Sequence, residues 1–74
     1  PSEDIFNLEI NIDSLSDFKI EIMDVLGNII FAENGKKYIG NLRKEIDLSK
    51  YSSGTYILKV NVGSSNFNKK LILN

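Results

Sequence analysis

At 74 residues the chain is about half the ~150 that usually make a domain, so it is read as one domain, 1–74, with a single core. Its 42% hydrophobic and 26% charged residues are those of a globular chain, and a formal charge of −1 lacks the basic surplus that nucleic acid or an anionic lipid surface requires. His and Cys are both absent, which excludes imidazole bases, thiolate nucleophiles, disulfides and nearly every zinc, haem or iron–sulfur site, so no cofactor is expected.

The longest apolar run, Ile29-Ile30-Phe31-Ala32, is far short of a transmembrane segment or a signal-peptide core. Pro1 is not an initiator residue, so the expectation is a module excised from a longer secreted protein.

Hydrophobic residues recur with a period of two. Phe6, Leu8, Ile10 and Ile12 alternate with Asn7, Glu9 and Asn11 and predict a half-buried strand. Asp13-Ser14-Leu15-Ser16-Asp17 is turn-prone and separates it from a second strand carrying Phe18, Ile20 and Ile22. Asp24-Val25-Leu26-Gly27-Asn28 predicts a tight hairpin turn, with Gly27 available for positive φ, leading into Ile29–Ala32. Both faces of that third strand are apolar, so its inward side stays open. A polar stretch from Glu33 to Asn41, with Asn-Gly and paired lysines, predicts a loop with room for a short edge strand. Alternation resumes over Leu42–Leu48, breaks at Ser49–Ser53, and is clearest over Gly54–Val62, where Tyr56, Leu58, Val60 and Val62 share a face. Gly63-Ser64-Ser65-Asn66 predicts another hairpin turn, before a last strand from Phe67 to Leu73.

No stretch has a helical period, and strands recur with turn signals between them. The expected fold is therefore all-β, a small antiparallel sandwich of six to seven strands, Ig-like in general form. Phe6, Leu8, Ile10, Ile20, Ile22, Ile46, Tyr56, Leu58 and Val60 are its expected core.

Few residues invite a chemical role. Asp13, Asp17, Asp24 and Asp47 suggest calcium or glycoside chemistry, but Asp13 and Asp17 enclose Ser-Leu-Ser without the glycine and distal glutamate of an EF-hand loop. Paired-carboxylate catalysis needs a cleft and stacking aromatics, and the chain has no Trp. Gly35 and Gly40 with Lys36 and Lys37 do not join a strand to a helix N-terminus, as phosphate binding would require. Catalytic, cofactor-binding and metal residues are therefore expected to be absent.

The order of the motifs carries more. Pro1-Ser2-Glu3-Asp4 precedes Phe6-x-Leu8-x-Ile10, and Ile20-Glu21-Ile22-Met23-Asp24-Val25-Leu26-Gly27 is an apolar strand ending in Asp-x-x-Gly. After Ile29-Ile30 and a polar loop come Ile46-Asp47-Leu48-Ser49, then Gly54-Thr55-Tyr56 opening an alternating strand, then Lys69-Lys70-Leu71-Ile72-Leu73. Over its whole length the chain resembles the C-terminal sorting domain, in its A-type form, of the type IX (Por) secretion system of Bacteroidetes. The resemblance implies a non-enzymatic module fused to the C-terminal side of a cargo domain. Such a module is recognised in the periplasm by outer-membrane secretion machinery, carries its cargo to the cell surface or medium, and is removed or exchanged for an anchor by a processing enzyme. On this reading Lys69, Lys70, Leu71, Ile72 and Leu73 are the candidates for partner recognition. The bland reading of the two lysines is a charged edge that discourages sheet-to-sheet aggregation. Asp24, Gly27, Gly54 and Tyr56 are motif positions read as structural. Rival readings are a carbohydrate-binding module using Tyr38, Tyr51 or Phe67, and an inert Ig-like accessory module of a secreted enzyme.

Overall fold

The computed structural model describes residues 4–74; Pro1-Ser2-Glu3, which open the family-like motif, lie outside the described residues. The chain forms four strands, β1 (Ile5–Asp24), β2 (Ile29–Asp47), β3 (Gly54–Val62) and β4 (Ser65–Leu73). They make one antiparallel sheet in the order β2-β1-β3-β4. No α-helix occurs among the described residues.

The all-β expectation holds, while the count of six to seven strands in a sandwich gives way to four strands in one sheet. The difference arises where polar residues were read as chain reversals. Asp13–Asp17 does not end a strand, because β1 runs through it while the pairing slips against β2 between Ile12 and Ser16 and again before Phe18. The backbone of this bend is satisfied by the residues that looked like turn formers. The Asp17 carboxylate accepts the Lys37 N–H at 3.0 Å, the Asp17 carbonyl accepts the Gly63 N–H at 2.9 Å, and the Ser16 hydroxyl donates to the Ser14 carbonyl at 2.8 Å. The predicted Glu33–Asn41 loop likewise lies within β2.

A slip at the other end of the hairpin explains the ambiguous third strand. Ile22 pairs with Phe31 but Met23 pairs with Ile29, so Ile30 is an extra residue and the alternation is reset there. Ile30 and Phe31 are both half-buried while Ile29 and Ala32 are exposed.

The core is assembled from both halves of the bent hairpin together with β3 and β4. Ile20, Ile22 and Val60 have no exposed surface, and Ile12, Phe18, Leu42, Ile46, Leu48, Tyr56, Leu58, Leu71 and Leu73 complete it. Of the nine residues expected inside, Ile20, Ile22, Ile46, Tyr56, Leu58 and Val60 are buried. Phe6, Leu8 and Ile10 are corrected to half-buried residues packed on the rim of the core. β3 flanks β1 only along Phe18–Asp24, so the segment Ile5–Ile12 has β2 on one side and no strand on the other among the described residues.

Packing is close where β1 leaves the bend. The Phe18 ring lies over the backbone of Gly35, where a Cβ would sit 2.5 Å from it. The same ring meets Tyr38 edge-on, with centroids 5.7 Å apart and planes at 89°.

Candidate functional site

The motif residues divide into two groups, one at the β1–β2 turn and one on β4. In the turn, the Asp24 carboxylate accepts the backbone N–H of Leu26 and of Asn28, each at 2.9 Å, and the Asn28 side-chain amide at 3.1 Å. The Gly27 N–H donates to the Asp24 carbonyl at 3.0 Å. Gly27 has a φ of 89°, which a residue with a Cβ adopts only under strain. Asp-x-x-Gly is thus a self-contained turn: one carboxylate collects the donors, and one glycine lets the chain come back. What it displays is apolar, for Val25 and Leu26 are 73% and 83% exposed. Sequence reasoning treated these two as the centre of a turn and missed that they face solvent; the signal was an apolar pair enclosed between residues that a turn demands.

Gly54 opens β3 at a φ of 150°, and the Tyr56 hydroxyl, carried inward by the buried ring, donates to the Ser52 carbonyl at 2.6 Å. Gly-x-Tyr therefore ties the 48–53 connection to the start of β3. The Asp47 carboxylate accepts the Ser49 N–H at 2.9 Å at the start of that connection. Asp17, Asp24 and Asp47 are each spent on backbone donors, and Asp13 is exposed on the bend. Tyr38 is engaged with Phe18, and the Tyr51 hydroxyl donates to the Ile30 carbonyl at 3.1 Å.

Three carboxyls titrate below their ordinary values for these reasons. The Asn28 N–H and side-chain amide lower Asp24, the Asn41 amide followed by the Arg43 guanidinium lowers Glu9, and the Ser49 N–H lowers Asp47. A carboxyl whose folded value is depressed adds stability that is complete above the unfolded value of about 4 and is lost as the pH falls through the folded value. The urea midpoint is therefore expected to hold at neutral pH and to fall on acidification below about pH 4. In the variant Asp24→Asn that acid limb should be shallower; an unchanged limb would remove the turn carboxylate from the account.

On β4, pairing with β3 sets Gly54 opposite Leu73, Tyr56 opposite Leu71, Leu58 opposite Lys69 and Val60 opposite Phe67. Since Tyr56, Leu58 and Val60 are buried, the stripe Phe67-Lys69-Leu71-Leu73 is on the core side and Lys70 and Ile72 are on the outer side. Leu71 and Leu73 are buried, Ile72 is 58% exposed, and Lys69 and Lys70 are exposed without an ion pair among the described residues. The structure thus splits the five candidate recognition residues into two core anchors and three residues that a partner can reach. β4 ends the sheet, so among the described residues its outer edge has no strand beside it.

A groove of about 530 Å³ runs beside β4, with Phe6 and Leu8 of β1 on one wall, Lys69 and Leu71 on the other, and Ile22 and Leu58 at its floor. Phe6 and Leu8 reach this place because β1 is bent, since β3 and β4 lie beside only its second half.

The family model for the secretion system C-terminal sorting domain matches residues 1–74. The chain belongs to that family. No curated protein and no solved structure matches it. The motifs of this type IX sorting domain do two kinds of work: Asp24, Gly27, Gly54 and Tyr56 build connections, while Lys69–Leu73 forms an open edge. No helix among the described residues of the sorting domain is long and apolar enough to cross a membrane.

Proposed function

We propose that the domain is the signal by which a cargo on its N-terminal side is taken from the periplasm across the outer membrane by the type IX apparatus, and that the end of β4 is the part the apparatus reads. The observation that carries the reading is the family match over the whole chain. Its physical support is an edge strand whose buried Leu71 and Leu73 hold it to the core while Lys69, Lys70 and Ile72 stay accessible. Such a strand offers unpaired backbone groups, two cations and an apolar side chain to a receptor without unfolding the domain. A processing or anchoring enzyme then acts on the delivered protein at the surface. The role is one of recognition, without catalysis or a cofactor.

The test fuses residues 1–74 to a reporter exported to the periplasm of a bacterium that has the type IX apparatus. The fusion is expected in the medium or on the surface, and a fusion held in the periplasm would refute the sorting role. The variant Lys69→Ala/Lys70→Ala removes both cations from exposed positions, so it should stay folded and be secreted several-fold less. Secretion equal to wild type would reduce the lysines to edge protection. A truncation lacking residues 69–74 serves only as a control, since it deletes the buried Leu71 and Leu73.

A further inference from the structure

Two strand edges without partners flank the same groove. Among the described residues, the segment Ile5–Ile12 of β1 is paired with Gly40–Asp47 of β2 on one side only, and β4 is paired with β3 on one side only. The groove between them continues past Phe67 into a second hollow of about 330 Å³ lined by Ile10, Ile12 and Val62. Both walls show inward faces that solvent still reaches. Phe6, Leu8 and Ile10 are half-buried in the stripe that ends at the buried Ile12, and Phe67 is 44% exposed although Val60, opposite it on β3, has no exposed surface. A half-buried core stripe along an edge with no strand beside it leaves room for one more strand.

Lys69 gives that strand a chemical character. It takes a core-side place between Phe67 and Leu71, opposite the buried Leu58, and its ammonium has no carboxylate partner among the described residues. Glu9, the acid of this chain that lines the same groove, is occupied by Asn41 at 2.7 Å and Arg43 at 3.3 Å. A strand laid over the groove would take water from the Lys69 ammonium, and an unpaired charge in that position opposes binding, whereas a carboxylate on the incoming strand compensates it.

We propose that the groove seats an extended segment of a partner protein as an added strand. The segment pairs with the free edge of Ile5–Ile12, is apolar at the alternate positions facing Ile22 and Leu58, and carries an acidic side chain opposite Lys69. Eight strand residues at about 3.3 Å each span roughly 26 Å, so the added strand is about eight residues long. A second copy of this chain is the poorer occupant, because its own β4 would bring Lys69 and Lys70 against the same cations. The inference deepens the proposed role of β4 and depends on it only for where the partner belongs.

The test needs no secretion. Chain 1–74 is titrated with a labelled peptide of about nine residues alternating Val and Thr with one central inward Glu, with its Lys counterpart, and with the Glu peptide N-methylated at alternate backbone nitrogens. The Glu peptide is expected to bind and to slow amide exchange along Ile5–Ile12, while the N-methylated peptide fails. The variant Lys69→Glu, checked by thermal melting to be folded, should bind the Glu peptide about tenfold or more weakly and bind the Lys peptide better. The proposal is overturned by absence of binding, by equal binding of the Glu and Lys peptides, by protection along the outer edge of β2 instead, or by a dimer that protects Ile5–Ile12 without peptide. Peptide binding with a fusion that stays in the periplasm would retain the groove and refute the sorting role; secretion without binding would do the reverse.

Discussion

Ile22→Ala is expected to leave the domain largely unfolded at 25 °C. Ile22 has no exposed surface and lies in β1 between Phe31 of β2 and Leu58 of β3, so a truncated side chain opens a cavity that neither neighbour can fill without breaking register. Ile to Ala in such a site costs about 2–5 kcal/mol, and a core of this size supplies little more than ~3–5 kcal/mol in all. Urea titration followed by circular dichroism should show a sigmoid with a native baseline for the wild type and no native baseline for the variant. Ile72→Ala is the control, for Ile72 is more than half exposed on β4 and its loss should stay within about 0.5 kcal/mol. Equal, small effects at both positions would mean that β1 is not the centre of the core.

The second large effect is expected at the bend. Phe18→Ala should cost about 3–5 kcal/mol, because the ring is buried, covers the Gly35 backbone and meets Tyr38 edge-on. The ring and the glycine are one unit, which a cycle of substitutions can expose. Gly35→Ala alone should cost about 1–3 kcal/mol, since the new methyl would stand 2.5–2.6 Å from two ring carbons and Phe18 must leave its place. With Phe18→Leu as the background, the same Gly35→Ala should cost distinctly less. Additive costs would show that the glycine is needed for a reason other than the ring above it.

Much of this fold is legible from alternation, and what is not legible depends on neighbours that are distant in the chain. Tyr56, Leu58 and Val60 are buried where the period places them, because β3 lies between β1 and β4 and its inward face is covered. Phe6, Leu8 and Ile10 have an equally clean period and are only half-buried, since burial of a strand's face also requires a strand beside it. Asp13–Asp17 has turn composition because a bend in a continuous strand needs local acceptors just as a reversal does. At the candidate site, the stripe Phe67-Lys69-Leu71-Leu73 was present in the sequence with a lysine in an otherwise apolar row. That lysine acquires meaning only once β4 is known to be an edge and β1 is known to bend over beside it. The display of Val25 and Leu26 is not legible for a simpler reason: Asp24 and Gly27 satisfy the turn between them, and nothing in the sequence says which way its middle faces.

The pairing of β1 with β2 and of β3 with β4 makes two hairpins, each closed by a short turn, and the ladder that joins them runs only along Phe18–Asp24 against Tyr56–Val62. Zipping within a hairpin takes microseconds, whereas bringing two segments together from far along the chain carries the larger loop-closure cost. The expected order of assembly is that the two hairpins form early and that their joining, which buries Ile20, Ile22 and Val60 together, is the slow step, which stopped-flow refolding with and without Ile22→Val would check. The 48–53 connection is the covalent tie across that seam, held by the Leu48 N–H on the Asp4 carbonyl and by the Tyr56 hydroxyl on the Ser52 carbonyl, so its length and these two anchors are expected to set how readily the hairpins find each other.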